Sequence, residues 1–320
     1  MVVLRADPWM PEFGMGFQAA VEDEQPDVHA SPFVERDDWT EAIEGEPDAE
    51  PGPVWFVDGV RRVEIRLVAD ADGRRVPGLF GSHGVGSVCS DGRATFGDHR
   101  IGRALVLGGG VQPDRVDVTI GRATLSFDPV TEEGTDPEQP LARLQAVMRK
   151  AEADLAAYLA AETDRMVLVD GPFGVRVPTA CPVVGVVKRF AHQYLGPEEE
   201  SLIGKLVPGQ RTPLFGLGPK EGLVDRYSWY SRLVPWRSPW HDHAGVVRCE
   251  VASGFGLAEA VEIAGRVASM LPRYAGRPSD PRAPQNLAPV GGLESWLRHR
   301  LGHSGIIRRA LMEHLAREAA

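Results

Sequence analysis

Cysteine is scarce in this chain, and its spacing suggests no pairing. Cys89, Cys181 and Cys249 are odd in number, far apart and never in a CxxC arrangement. That argues against a disulfide framework and against a cysteine-based zinc site. It fits a reducing cytoplasm, with the three residues as small core side chains. Long hydrophobic runs are missing as well: no stretch approaches the roughly 18 consecutive apolar residues of a membrane span. The N-terminus lacks a basic segment followed by an apolar core, so neither a signal peptide nor a membrane partner is expected. GxSxG, HExxH, GxGxxG and P-loop patterns are absent too, which leaves hydrolase-triad, zinc-protease, dinucleotide and ATPase chemistry without support. Gly108-Gly109-Gly110 has no Lys-Ser/Thr after it and leads into a strand, so it reads as a turn.

Basic side chains are nearly missing from the first fifty residues, where Arg5 and Arg36 stand against 14 acidic residues. The whole chain carries a net charge of -10, yet residues 51–320 hold 33 basic and 31 acidic side chains. The acidity is therefore confined to one segment. A near-neutral body can still present a local basic patch to a polyanion, so the overall charge neither excludes nor recommends nucleic acid. Residues 1–50 scatter Trp9, Phe13, Phe17, Phe33 and Trp39 among Asp, Glu and Pro. They read as an acidic N-terminal extension, either partly disordered or docked through its aromatics, with a short helix at 39–43. Residues 51–320 read as a single domain, since no Pro/Gly-rich linker divides them. A chain of 320 residues with 43% apolar content can bury a sizeable core.

From 53 to 127, a strand over 61–69, Gly-rich turns at 73, 78, 81, 84 and 86, and strands at 103–107 and 116–120 predict a meander of antiparallel strands. Within it Val63, Ile65 and Leu67 alternate with Arg62, Glu64 and Arg66, the pattern of a half-buried strand. Over 137–162, Leu141, Leu144, Met148, Ala151, Leu155, Tyr158 and Leu159 recur every three or four residues and predict a helix with one apolar face. Strands at 166–171, 182–188 and 246–252 follow, with helices near 197–206, 257–271 and 292–319. A meander, a helix, then alternating elements predict an α/β fold, a ribonuclease-H-like mixed sheet flanked by helices.

Two of the strands end on a carboxylate. Val54-Trp55-Phe56-Val57-Asp58-Gly59 and Met166-Val167-Leu168-Val169-Asp170-Gly171 are both short apolar runs closing on Asp-Gly. The apolar run favours burial and the Asp does not, so each sheet edge would present a carboxylate. The glycine after each lets the chain turn away and leaves room for an ion or a phosphate. If the two strands are neighbours, Asp58 and Asp170 form a pair of hard oxygen ligands suited to Mg²⁺ or Mn²⁺. Two such ions can activate a water and stabilise the leaving oxygen of a phosphodiester. The competing reading is that both Asp-Gly pairs are ordinary turns. Glu152 projects from the edge of the helix's apolar stripe, so it is a third candidate, or else an ion-pair partner of Arg149. Glu162 is its rival, at a helix end where the dipole disfavours negative charge.

These segments together resemble the NurA nuclease family: Asp58-Gly59, then Arg149-Lys150-Ala151-Glu152 on a helix, then Leu168-Val169-Asp170-Gly171-Pro172, then Gly185-Val186-Val187-Lys188-Arg189. The resemblance spans about 54–300. It implies a ribonuclease-H-like fold and a Mn²⁺-dependent nuclease that degrades DNA from 5′ ends and cuts single strands. It also implies a homodimer working beside the hexameric ATPase HerA in processing DNA ends. Carried over by position, Asp58, Glu152 and Asp170 would be metal ligands. Near the C-terminus the family has a Tyr-Pro motif, then a His or acidic residue opening a helix. This chain reads Ala283-Pro284-Gln285-Asn286-Leu287-Ala288-Pro289-Val290 and then Leu293-Glu294. Glu294 would take the metal-proximal role, and Asn286 stands nearest the place of the missing Tyr.

Lys188 and Arg189 would either hold the scissile phosphate or cap a strand in solvent. Arg226, Trp229, Tyr230, Arg232, Trp236, Arg237 and Trp240 interleave aromatic and basic side chains. They are a candidate single-strand-binding stretch, or in part core. His241-Asp242-His243 has poor ligand spacing and reads as a surface turn. Two readings compete with the nuclease. One is an adaptor of a HerA-type ATPase that has lost its chemistry, favoured by the altered C-terminal motif and the acidic arm. The other is a ribonuclease-H-like enzyme acting on RNA.

Overall fold

The computed structural model describes residues 2–7, 28–47, 52–172, 181–188, 193–277 and 285–318. The chain opens with β1 (Val2–Ala6), β2 (His29–Ser31) and β3 (Ile43–Glu44), then enters the long strands β4 (Val54–Ala71), β5 (Arg74–Ser90) and β6 (Ala94–Leu107). A hairpin of β7 (Val116–Ile120) and β8 (Ala123–Thr131) leads to α1 (Gln139–Glu162), β9 (Val167–Asp170), β10 (Val183–Val187) and α2 (Pro197–Lys205). β11 (Gln210–Arg211), β12 (Phe215–Gly218), β13 (Arg226–Arg232) and β14 (Val246–Ala252) complete the strands. Three helices close the chain: α3 (Leu257–Met270), α4 (Ala288–Arg300) and α5 (Ser304–Glu318).

The sheet runs in the order β2-β12-β13-β14-β10-β9-β4-β5-β6-β8-β7. β4, β5 and β6 form an antiparallel meander as expected, but β5 runs unbroken through Gly78, Gly81, Gly84 and Gly86, where turns were expected, because each glycine is paired in the ladder. α1 then carries the chain back so that β9 lies parallel to β4, with β10 parallel to β9 on its far side. The fold is thus the α/β, ribonuclease-H-like mixed sheet that the element order predicts. Among the described residues, no helix is long and apolar enough to cross a membrane. None of the three cysteines is in a disulfide.

Alternation along the strands sorts the core into layers. Val57, Val85, Val167, Val169 and Val183 face α1, where Met148, Leu155 and Leu159 meet them. Phe56, Val60, Leu168, Val184 and Val186 face the other way, onto α3 and α4 through Ile263, Val267, Leu293 and Leu297. Beyond Glu64 this alternation breaks. The β4–β5 register shifts between Val63 and Ile65, and Val63 packs with Leu141 and Leu144 of α1 while Ile65 and Leu67 pack with Ile307 and Leu311 of α5. The regular Val63-Ile65-Leu67 face expected from sequence is therefore split by a β-bulge, whose extra residue changes the side to which all later side chains point.

The expected turn after Asp58 does not occur either. β4 runs straight through Asp58-Gly59, with Gly59 opposite Val85. Gly59 is needed for closeness instead: a Cβ there would collide with Glu152 Oε1 and lie 3.0 Å from Met148 Cγ on α1. At Asp170 the strand does end, and Gly171 follows with φ +124°, a left-handed conformation that favours glycine.

The described parts of the acidic extension join the sheet. β1 pairs with the far end of β4, β2 with β12 and β3 with β11. In place of the short helix expected at 39–43 there is no regular helix, and Ile43 begins β3. Trp39 is buried against Phe215. Glu35 accepts two hydrogen bonds from the buried guanidinium of Arg211, at 2.8 and 2.9 Å, and one from the Leu214 amide. Trp9, Phe13 and Phe17 lie outside the described residues.

Candidate metal centre

Parallel pairing of β4 with β9 sets Val57 beside Val169, so the next residue on each strand brings Asp58 alongside Asp170. Both point to the α4 side, since they follow the parity of Phe56 and Leu168. α4 lies across that face, held by Val290, Leu293 and Leu297, and this packing delivers Glu294. One carboxylate oxygen from each of Asp58, Asp170 and Glu294 lies within 4.8 Å of the other two. Asp58 and Glu294 are buried and Asp170 is half-buried.

Three carboxylates this close repel one another. The Asp58 carboxyl is pushed well above the usual carboxylate range, chiefly by burial, then by Asp170, Glu152 and Glu294, with Lys188 opposing. Two other buried carboxylates in this fold, Glu64 and Glu250, are compensated. Glu64 accepts hydrogen bonds from Arg62 Nη2 and Ser82 Oγ, both at 2.7 Å, and Glu250 accepts one from Arg248 at 2.8 Å. Asp58 Oδ2 is different: it is buried and has no hydrogen-bond donor among the described residues. A buried anion costs several kcal/mol unless something positive or donating meets it. The donor set consists wholly of hard oxygens, and it fits a hard divalent cation.

Lys188 leaves the end of β10 and donates from Nζ to Asp170 Oδ2 at 2.7 Å and to Asn286 Oδ1 at 3.3 Å. Its aliphatic stem and Asp170 are largely shielded, so this contact is not a solvent-exposed cap. Asn286 is buried just before α4, which puts the residue nearest the missing Tyr inside the site. Arg298, one turn after Glu294 and not singled out from sequence, approaches Glu294 Oε2 at 3.5 Å. Only the i,i+4 spacing from Glu294 could have pointed to it.

Glu152 stands apart from the group of three. It is buried on α1, on the side of the sheet that Gly59 faces, and it reaches Asp58 through its charge. Glu162 is exposed at the end of α1 and takes no part. Arg189 lies outside the described residues.

Of the two readings of the aromatic and basic stretch at 226–240, single-strand binding or core, the core reading holds for much of it. Trp229 and Tyr230 are buried, and Arg232 spends its guanidinium on the carbonyls of Ala244, Asp242 and Gly204. Trp236 and Arg237 are exposed. The segment at 241–243 is a surface turn, as its spacing predicts.

No family model matches this chain, and no curated protein matches it. Among solved structures, the NurA nuclease from Sulfolobus solfataricus is similar with a TM-score of 0.45 and 10% identity, over 87% of each chain. Endonuclease V from Ciona intestinalis, solved in complex with a 23mer DNA, gives a TM-score of 0.30 and 11% identity, over 81% of this chain and 90% of that one. Neither likeness is close enough to carry an activity across.

Proposed function

We propose that this chain is a divalent-metal-dependent nuclease of the NurA type. It would act on DNA ends and single strands, as a homodimer beside a HerA-type hexameric ATPase. The observation that carries this reading is the meeting of Asp58, Asp170 and Glu294 within 4.8 Å around a buried Asp58 oxygen that no donor among the described residues satisfies. The order of short motifs along the sequence supports it independently.

Asp58, Asp170 and Glu294 would hold the cation, with Glu152 adding negative charge from behind β4. When bound, Mn²⁺ or Mg²⁺ supplies Lewis-acid polarisation of the phosphodiester and offsets the charge that builds up on attack. Lys188 would then exchange Asp170 for a phosphate oxygen and hold the scissile group in place. Asn286 Oδ1 fixes the direction of that ammonium. α3 and α4 keep the floor of the site apolar, which strengthens each of these charge interactions.

One observation favours a second reading. The Lys188 ammonium already answers Asp170, as it would in an adaptor of the ATPase that no longer binds metal. Mn²⁺ titration by calorimetry and cleavage of 5′-labelled single-stranded DNA, run on the parent, Asp58→Asn and Asp170→Asn, decide between the two. The nuclease reading expects Mn²⁺ uptake and cleavage in the parent and loss of both in the variants. Absence of uptake and cleavage in the parent, with the ATPase partner present, favours the adaptor. Preference for RNA or hybrids would move the activity to the ribonuclease-H-like alternative.

A further inference from the structure

β6 pairs with β5 along nearly its whole length, but on its other side β8 meets only residues 104–107. Among the described residues, 94–103 is therefore an open sheet edge. A register shift between Gly86 and Val88 sets Phe96 opposite Val88 and His99 opposite Gly86, so both point to the α4 side. There they meet Trp296. Phe96 stacks on its indole with centroids 4.8 Å apart and planes 11° apart, and His99 meets the same ring edge-on at 4.7 Å. The Arg300 guanidinium lies 4.6 Å from the Trp296 centroid.

Although stacked, Phe96 keeps 42% of its surface exposed, so packing does not account for the whole ring. Cations follow along the edge. Arg103 donates to the Leu301 carbonyl and Arg62 to the Gly302 carbonyl at the end of α4, and Arg93 and Arg100 are exposed. Asp91 and Asp98 are the acidic residues of this stretch. In a chain with a net charge of -10, this is a local concentration of guanidinium groups beside an exposed aromatic face.

We propose that this edge is a stacking platform for single-stranded nucleic acid, in which Phe96 receives a base while Arg300, with Arg103 on the same face, meets phosphates. Its occupant rests on the nuclease reading, since a strand cut at the carboxylates must be gripped away from the cut. α4 joins the two places. Glu294 enters the acidic cluster from one flank, and Trp296, two residues on, projects from the other, about 10 Å away across the helix. Stacking on a π-face tolerates any base, and arginine following the backbone adds sequence-independent attraction.

The test is fluorescence anisotropy of a labelled oligo-dT of about 15 nucleotides, in EDTA so that no cleavage intervenes. Phe96→Ala and Arg300→Ala are expected to weaken binding roughly tenfold, in line with the loss of one base stack. Phe96→Trp is expected to bind like the parent, and so is Phe33→Ala, which removes an exposed ring on the N-terminal extension. The proposal is overturned if the parent does not bind, or if folded Phe96→Ala and Arg300→Ala bind like the parent. It is also overturned if Phe96→Ala changes only the mass seen by light scattering, which would make the edge a protein–protein contact. Asp58→Asn separates the two readings, because it should abolish cleavage and retain binding. A parent that binds through Phe96 but cleaves nothing keeps the platform and sinks the nuclease. One that cleaves and is indifferent to Phe96 does the reverse.

Discussion

At the scale of single residues, Asp58 holds a proton more tightly in the folded protein than a free carboxyl does, because burial and three neighbouring carboxylates disfavour its charge. A carboxyl whose folded-state pKa is raised stabilises the fold while protonated. That contribution is lost as pH rises from the ordinary value of 3.8 through the raised one. In EDTA, urea melts over this range should show stability falling with pH. Asp58→Asn should flatten that dependence and raise neutral-pH stability by about 1 kcal/mol or more. A variant less stable than its parent would mean that the carboxylate is not strained. Lys188 offers a second residue-level prediction. It competes with any cation for Asp170 Oδ2, so Lys188→Met should tighten Mn²⁺ binding by about tenfold in calorimetry while lowering cleavage. An unchanged affinity would separate Lys188 from the metal.

Among the elements, the contact of α1 with β4 depends on the missing side chain at position 59. Gly59→Ala places a methyl against Glu152 and Met148, and overpacking of this kind costs about 1–3 kcal/mol. Chemical denaturation should show that loss, and Gly59→Ala combined with Glu152→Ala should recover part of it. The same position shows where sequence reading succeeds and fails. The apolar run before Asp58 identified a strand and its carboxylate, both local properties. It could not show whether Gly59 turns the chain or lets a helix approach, because that depends on α1, which lies far along the chain. The bulge at Glu64 was hidden for a related reason. Val63, Ile65 and Leu67 keep their alternation in sequence while the backbone changes face between them. α1 was legible as a helix because its apolar period needs no partner to be recognised, although Tyr158, expected on its apolar face, is exposed.

Across the whole molecule, the run from meander to helix to alternating elements was legible, but β5, β12 and β13 were not read as strands, and the docking of the ends was not visible. Glu35 and Arg211 are far apart in sequence, with nothing local to link them, yet their buried pair ties the acidic extension to the sheet. Glu35→Ala leaves a buried guanidinium without its carboxylate and should cost about 3–5 kcal/mol. Limited proteolysis should then cut within 28–47 faster than in the parent, and equal rates would mean that the strands hold this segment unaided. Asp58 and Asp170 could be paired from their matching contexts. Glu294 came only from an expectation about a helix start, and its convergence with them is a product of the tertiary packing of α4.

Asp58, Asp170 and Glu294 enter the chain on β4, on β9 and on α4. The first two can meet as soon as their strands pair, but the third arrives only when α4 docks across that face. A chain interrupted before residue 294 would hold the paired aspartates and leave the cluster one carboxylate short.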